Sequence, residues 1–130
     1  MDFSSLRYAD VVVVAPTGRI DHASAEPFQL ALEPILVAVA GMDGAVVLDL
    51  SAVDYISSVG LRVVMMAAKH LRAGKARIAA VSLQPVVNEI FEIARFNHVV
   101  EIFPSLPDAL AALSTPALAA YEAGTGSPAA

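Results

Sequence analysis

The chain is predicted to be one α/β domain built on a mixed, largely parallel sheet of four to five strands, with an N-terminal hairpin and helices packed on it. Three observations carry this. Apolar runs of strand length recur at Val11–Ala15, Ala45–Leu50 and Arg77–Val81, too continuous for strands with one wet face. Segments of helical period separate them. Composition permits a full core: of 130 residues, 57% are apolar and 16% charged, against roughly 25% charged in an average soluble domain.

Phe3–Tyr8 reads as a strand, and Ala9-Asp10 turns it into Val11–Ala15. Pro16-Thr17-Gly18 ends the hairpin, and Arg19-Ile20-Asp21 follows. Ser24 precedes a helical stretch through Phe28, Leu32, Ile35, Leu36 and Val39, stopped by Gly41 and Gly44. Pro34 lies inside it, so either the helix kinks there or two pieces meet. Ala45–Leu50 is the next strand, leading through Val53-Asp54-Tyr55-Ile56 to Ser57-Ser58, both good N-cap residues. Leu61, Val64, Met65, Ala68 and Leu71 then repeat at helical spacing to Gly74, with Lys69, His70 and Arg72 at the negative end of the helix dipole. Arg77–Val81 is a third parallel-type strand, Pro85–Arg95 a helix, and Val99–Phe103 a last short strand. Ser105-Leu106-Pro107-Asp108 resembles a capping box that opens a helix through Leu113. The domain is therefore expected over residues 1–113. Residues 114–130 are expected to be an alanine-rich tail with one more short helix after Ser114-Thr115-Pro116 and a flexible end.

Charge and motifs exclude several function classes. Eight Lys+Arg against thirteen Asp+Glu give a net charge of −5, a poor footprint for direct nucleic-acid binding. Zero cysteines exclude a disulfide framework and a thiol nucleophile. No apolar run approaches the roughly 20 residues of a membrane helix, and no basic-then-apolar leader opens the chain, so a cytoplasmic protein without membrane insertion is expected. There is no phosphate-cradling glycine loop, and no cofactor is expected. His22, His70 and His98 belong to different elements. Asp21-His22 is either a metal or acid–base dyad or a cap beside a solvated side chain. Asp49 and Asp54 have no obvious general-acid partner, so the chain does not read as an enzyme.

The informative segment is the strand-to-helix junction from Leu48 to Arg62. Free N–H groups and the positive dipole end at a helix start favour an anion by about 0.3–1 kcal/mol when exposed. A phosphoserine there adds about −1.5 to −2 charges without requiring the fold to open. By position alone, Ser57 or Ser58 is either an N-cap or such an acceptor.

This segment resembles the anti-sigma factor antagonist family, whose STAS domain is shared with sulfate transporters. Landmarks occur in order between Phe3 and Leu113. Gly18-Arg19-Ile20-Asp21 matches the family's Gly-x-Leu/Ile-Asp, and Val46–Leu50 with Val53–Ile56 matches the strand and its exit. Ser57-Ser58-Val59-Gly60-Leu61 lies where the family carries Asp-Ser-Ser/Thr-Gly-Leu, and Pro85–Phe96 matches the following helix. The resemblance implies a STAS-type fold and an anti-sigma factor antagonist in a partner-switching pathway. Unphosphorylated, such a domain binds an anti-sigma factor that is also a serine kinase; phosphorylation releases it, and a serine phosphatase resets it. Aligned on Gly60-Leu61, the acceptor is Ser58, with Ser57 second. Ser57 replaces the family's aspartate and Val59 its Ser/Thr. The rival within the same resemblance is a constitutive accessory subunit of a membrane lipid transporter.

The expected partner-binding residues are Asp21, Ser57, Ser58, Val59, Arg62, Val63 and Met66. Arg62, one turn after Ser58, either pairs with a phosphate on Ser58 or an acidic group of the partner, or is merely solvated. Val59, Val63 and Met66 form a second apolar line beside the sheet-facing one, either a contact surface or core under a neighbouring helix.

Overall fold

The computed structural model describes residues 2–129. Its elements are β1 (Phe3–Tyr8), β2 (Val11–Pro16), β3 (Gly18–Ile20), α1 (Ala25–Gly41), β4 (Ala45–Asp49), β5 (Val53–Ile56), α2 (Ser58–Arg72), β6 (Arg77–Val81), α3 (Pro85–Ile93), a 3-10 turn (Phe96–His98), β7 (Glu101–Phe103), α4 (Leu106–Leu113), α5 (Thr115–Glu122) and β8 (Ser127–Pro128).

Six strands form the main sheet in the order β7-β6-β4-β2-β1-β8. β7, β6, β4 and β2 are mutually parallel; β1 joins β2 as the antiparallel hairpin, and β8 pairs antiparallel with β1. β3 and β5 form a separate parallel pair. The α/β class, the hairpin and the parallel centre match expectation, but the sheet is larger than four to five strands. β8 is the addition. Two residues, one of them proline, carry no period that a sequence reading can detect. The last parallel strand is also shorter than Val99–Phe103, because the 3-10 turn takes up the chain just before it.

The apolar runs are continuous because both faces of the sheet are covered. Val12, Val14, Val46, Leu48, Ile78 and Ala80 point into a core shared with α1, α2 and α3. The intervening Val11, Val13, Ala45, Val47, Ala79 and Val81 point into a second core with α4 and α5. On α1, Phe28, Leu32, Ile35, Leu36 and Val39 are buried, and each of the larger ones contributes roughly 1.5–3 kcal/mol by leaving water. Pro34 does not divide α1. Leu30 and Pro34 are both exposed, so water can serve the carbonyl that a proline four residues on leaves without a donor.

The capping box at Ser105 is present: its hydroxyl accepts from the Asp108 amide and donates to the Asp108 carboxylate at 2.8 Å. After residue 113 the expected short helix is present as α5, and it is packed against the sheet rather than carried on a loose tail. Ser114 is buried, caps α5 through the Ala117 amide and donates its hydroxyl to Asp10 on the hairpin turn. Ala117 is fully buried, and Tyr121 meets Tyr8 edge-on at 5.5 Å. The helix itself is the one expected after Ser114-Thr115-Pro116; alanine spacing hid only its packing, which rests on small side chains close to the sheet rather than on a strong apolar stripe.

Candidate functional site: the amino end of α2

The site is assembled by the small β3–β5 pair. Ile20 and Ile56 are register partners at its end, both buried, and the next residue, Ser57, donates its amide to the Ile20 carbonyl at 2.8 Å. The backbone of Ser57 is extended, with φ −86° and ψ 172°, and its hydroxyl accepts the Gly60 N–H at 3.2 Å. Ser57 is therefore the N-cap of α2. Gly60 is required by proximity: a Cβ there would lie 2.7 Å from Ile20 Cγ2 and 2.9 Å from Ile56 Cγ1. The first turn of α2 sits directly on these two isoleucines.

Ser58 is the first helical residue and is exposed. Its hydroxyl makes no hydrogen bond among the described residues, and the amides of Ser58 and Val59 likewise find no acceptor there. With Ser57 occupied as the cap, the alternatives left open for the two serines separate. Ser57 holds the helix, and Ser58 stands free beside unsatisfied N–H donors.

Asp21 lies just beyond β3, its partly exposed side chain folded back over its own turn. Its Oδ1 accepts the Ala23 amide at 3.1 Å, the Ser24 amide at 3.3 Å and the Ser24 hydroxyl at 3.2 Å. Arg19 approaches its other oxygen at 3.6 Å and lays its guanidinium 4.4 Å over the Tyr55 ring. Desolvation would raise the Asp21 pKa, but the Ser24 and Ala23 hydrogen bonds and the Arg19 charge together hold it below the ordinary 3.8. Of the two sequence alternatives for Asp21-His22, the geometry is that of a cap beside an exposed histidine. No three His, Asp or Glu side chains converge on a metal site among the described residues. Ser24, placed as the α1 cap, makes no forward cap bond; its one hydroxyl proton is shared between the Arg19 carbonyl at 2.7 Å and Asp21 Oδ1.

The second apolar line on α2 divides. Val63 is buried between α2 and α1, so it belongs to the core and not to the exposed surface. Met66 is 49% exposed, Val59 half-buried and Arg62 exposed. These three border an open groove of about 560 Å³ between α2 and α1, whose α1 side carries His22, Glu26, Gln29 and Leu30. The sequence reading missed the α1 wall. Leu30 is apolar yet off the buried stripe of α1, which was the available signal; that α1 lies beside α2 is a tertiary fact.

The family model for the STAS domain matches residues 3–109. The chain belongs to the STAS domain family. Within it, this STAS domain is 36% identical over 105 residues to BtrV of Bordetella bronchiseptica, named as an anti-sigma factor antagonist; the match covers 81% of this chain and 88% of BtrV. Its fold is similar to the crystal structure of an anti-sigma factor antagonist from Thermotoga maritima, with a TM-score of 0.78 and 22% identity over 85% of this chain and 93% of that one. It also resembles the Bacillus cell fate determinant SpoIIAA in its phosphorylated form, with a TM-score of 0.63 and 16% identity over 85% and 98% of the two chains. The STAS fold expected from the ordered landmarks is thus the fold found. No described helix is long and apolar enough to cross a membrane.

Proposed function

We propose that this STAS domain is an anti-sigma factor antagonist whose binding surface is the amino end of α2 and whose switch is phosphorylation of Ser58. Unphosphorylated, it binds an anti-sigma factor that is also a serine kinase; the phosphorylated form is discharged, and a serine phosphatase resets it. The domain is a substrate in this cycle and ATP is the kinase's ligand. The name carried by BtrV supports the antagonist role, and SpoIIAA, a protein of the same fold, has a phosphorylated form.

The observation that carries the reading is the division of labour between the serines. Ser57, at the position of the family's aspartate, takes the capping bond, and Ser58 keeps a free, exposed hydroxyl. A phosphate on Ser58 lies beside the open amides of Ser58 and Val59 and the positive end of the α2 dipole, so the domain tolerates it without unfolding. A partner docked on Val59 and Met66 meets a dianion that must lose its water. Each 1.4 kcal/mol of such penalty is a tenfold loss of affinity, so a few unfavourable contacts suffice for release. Arg62, exposed one turn after Ser58, serves as the pairing group for the phosphate or for an acidic group of the partner.

The test compares Ser58→Ala and Ser58→Asp as bait for proteins of the source cell, with the bound proteins identified by mass spectrometry. An anti-sigma kinase held by the alanine form and lost from the aspartate form is the expected result. Equal retention of a transporter or scaffold subunit by both forms overturns the switch.

A further inference from the structure

We propose that the segment after α5 is a latch closing the outer edge of β1, and that this edge, once open, pairs with β1 of a second copy of the chain. β1 is six residues long, and only Leu6 and Arg7 have register partners on its outer side, Pro128 and Ser127. The contact is thin but specific. The Ser5 hydroxyl donates to the Ala129 carbonyl at 2.9 Å, and the Ala129 amide reaches the Ser5 carbonyl at a long 3.4 Å. Gly126 makes the approach possible, since a Cβ there would lie 2.5 Å from the Tyr8 ring.

β8 ends the sheet by chemistry as well as by length. Pro128 has no N–H to offer a further strand, a recurrent device for blunting edges. With the latch lifted, β1 exposes an unpaired main-chain edge beside Leu6, already 43% exposed. The occupant follows from the strand's own sequence. Antiparallel pairing of β1 with itself is two-fold symmetric. A register centred on Ser5 sets Arg7 opposite Phe3 and Leu6 opposite Ser4, so no like charges meet. The latch therefore keeps the domain monomeric, and its release makes a dimer through a continuous sheet remote in sequence from the Ser58 surface.

Three forms of the full chain, followed by sedimentation equilibrium, test this. The chain has no cysteine of its own, and Leu6 and Pro128 face each other across the strands, so L6C/P128C oxidises to a locked latch. Gly126→Val drives a side chain into the Tyr8 ring and opens it. The unaltered and locked forms are expected at monomer mass and Gly126→Val at twice that mass. A folded Gly126→Val that stays monomeric, or a locked form that dimerises equally, overturns the proposal. Hydrogen exchange on the unaltered chain gives a reading that needs no variant. The Ala129 amide must exchange far ahead of the β2 amides, and equal rates overturn the latch.

Discussion

The amide of Ser57 donates to the carbonyl of Ile20 at 2.8 Å, so the residue that starts α2 is also the last rung of the β3–β5 ladder. One hydrogen bond thereby fixes where the helix begins and which serine follows its cap. The orientation of Ser58 is inherited from the small sheet, and residues that never touch a partner should govern binding through it.

Gly60→Ala is the most direct probe of that inheritance. Its Cβ must displace Ile20 or Ile56, both buried, and overpacking of this kind costs about 1–3 kcal/mol. A urea titration should show the midpoint falling with an unchanged slope. A loss below about 0.5 kcal/mol would mean that the first turn of α2 shifts freely.

The two serines should separate in stability. Ser57→Ala removes the cap bond to Gly60 and should cost about 0.5–2 kcal/mol, while Ser57→Asp should retain the cap. Ser58→Ala, exposed and unbonded, should change stability by no more than about 0.5 kcal/mol. Thermal or urea melts of the three variants check this, and a costly Ser58→Ala would return the cap to Ser58.

On α2, charge placed on the groove should act on binding and not on folding. Met66→Glu alters an exposed side chain and should leave the melting midpoint nearly unchanged while weakening partner affinity at least tenfold, about 1.4 kcal/mol. Val63→Ala should do the reverse, destabilising a buried contact with little direct effect on the docking surface. Calorimetric titration with the partner captured above, alongside melts, distinguishes the two.

Acid titration should single out Asp21. Its folded pKa lies below 3.8, so its contribution to stability is present above the unfolded value and is lost as pH falls through the folded one. Carbon-detected NMR should find the Asp21 carboxyl titrating below ordinary aspartates, and Ser24→Ala should raise it by removing a donor. An Asp21 carboxyl that titrates at the ordinary 3.8 would show that the turn is not formed in solution.

Much of this architecture is written locally. Val11–Val14, Ala45–Leu48 and Ile78–Val81 declare strands buried on both faces, because an uninterrupted aliphatic run has no other favourable place in a domain of this size. Ser105 and Asp108 declare a helix start, because a cap needs only residues three apart. The position of the candidate switch is local too: a strand exit, two serines and a glycine lie within a few residues of one another.

Tertiary structure decided what depends on distant neighbours. Whether Ser57 or Ser58 caps α2 turned on Ile20, more than thirty residues away, whose carbonyl fixes Ser57 and whose side chain demands Gly60. Whether Val63 belongs to core or surface turned on α1 lying beside α2. The order after residue 113 turned on Asp10 and Tyr8, which receive Ser114 and Tyr121 from the other end of the chain. Period and capping are properties of adjacent residues and can be read from the sequence, whereas burial is a property of pairs brought together by folding, which no local pattern encodes.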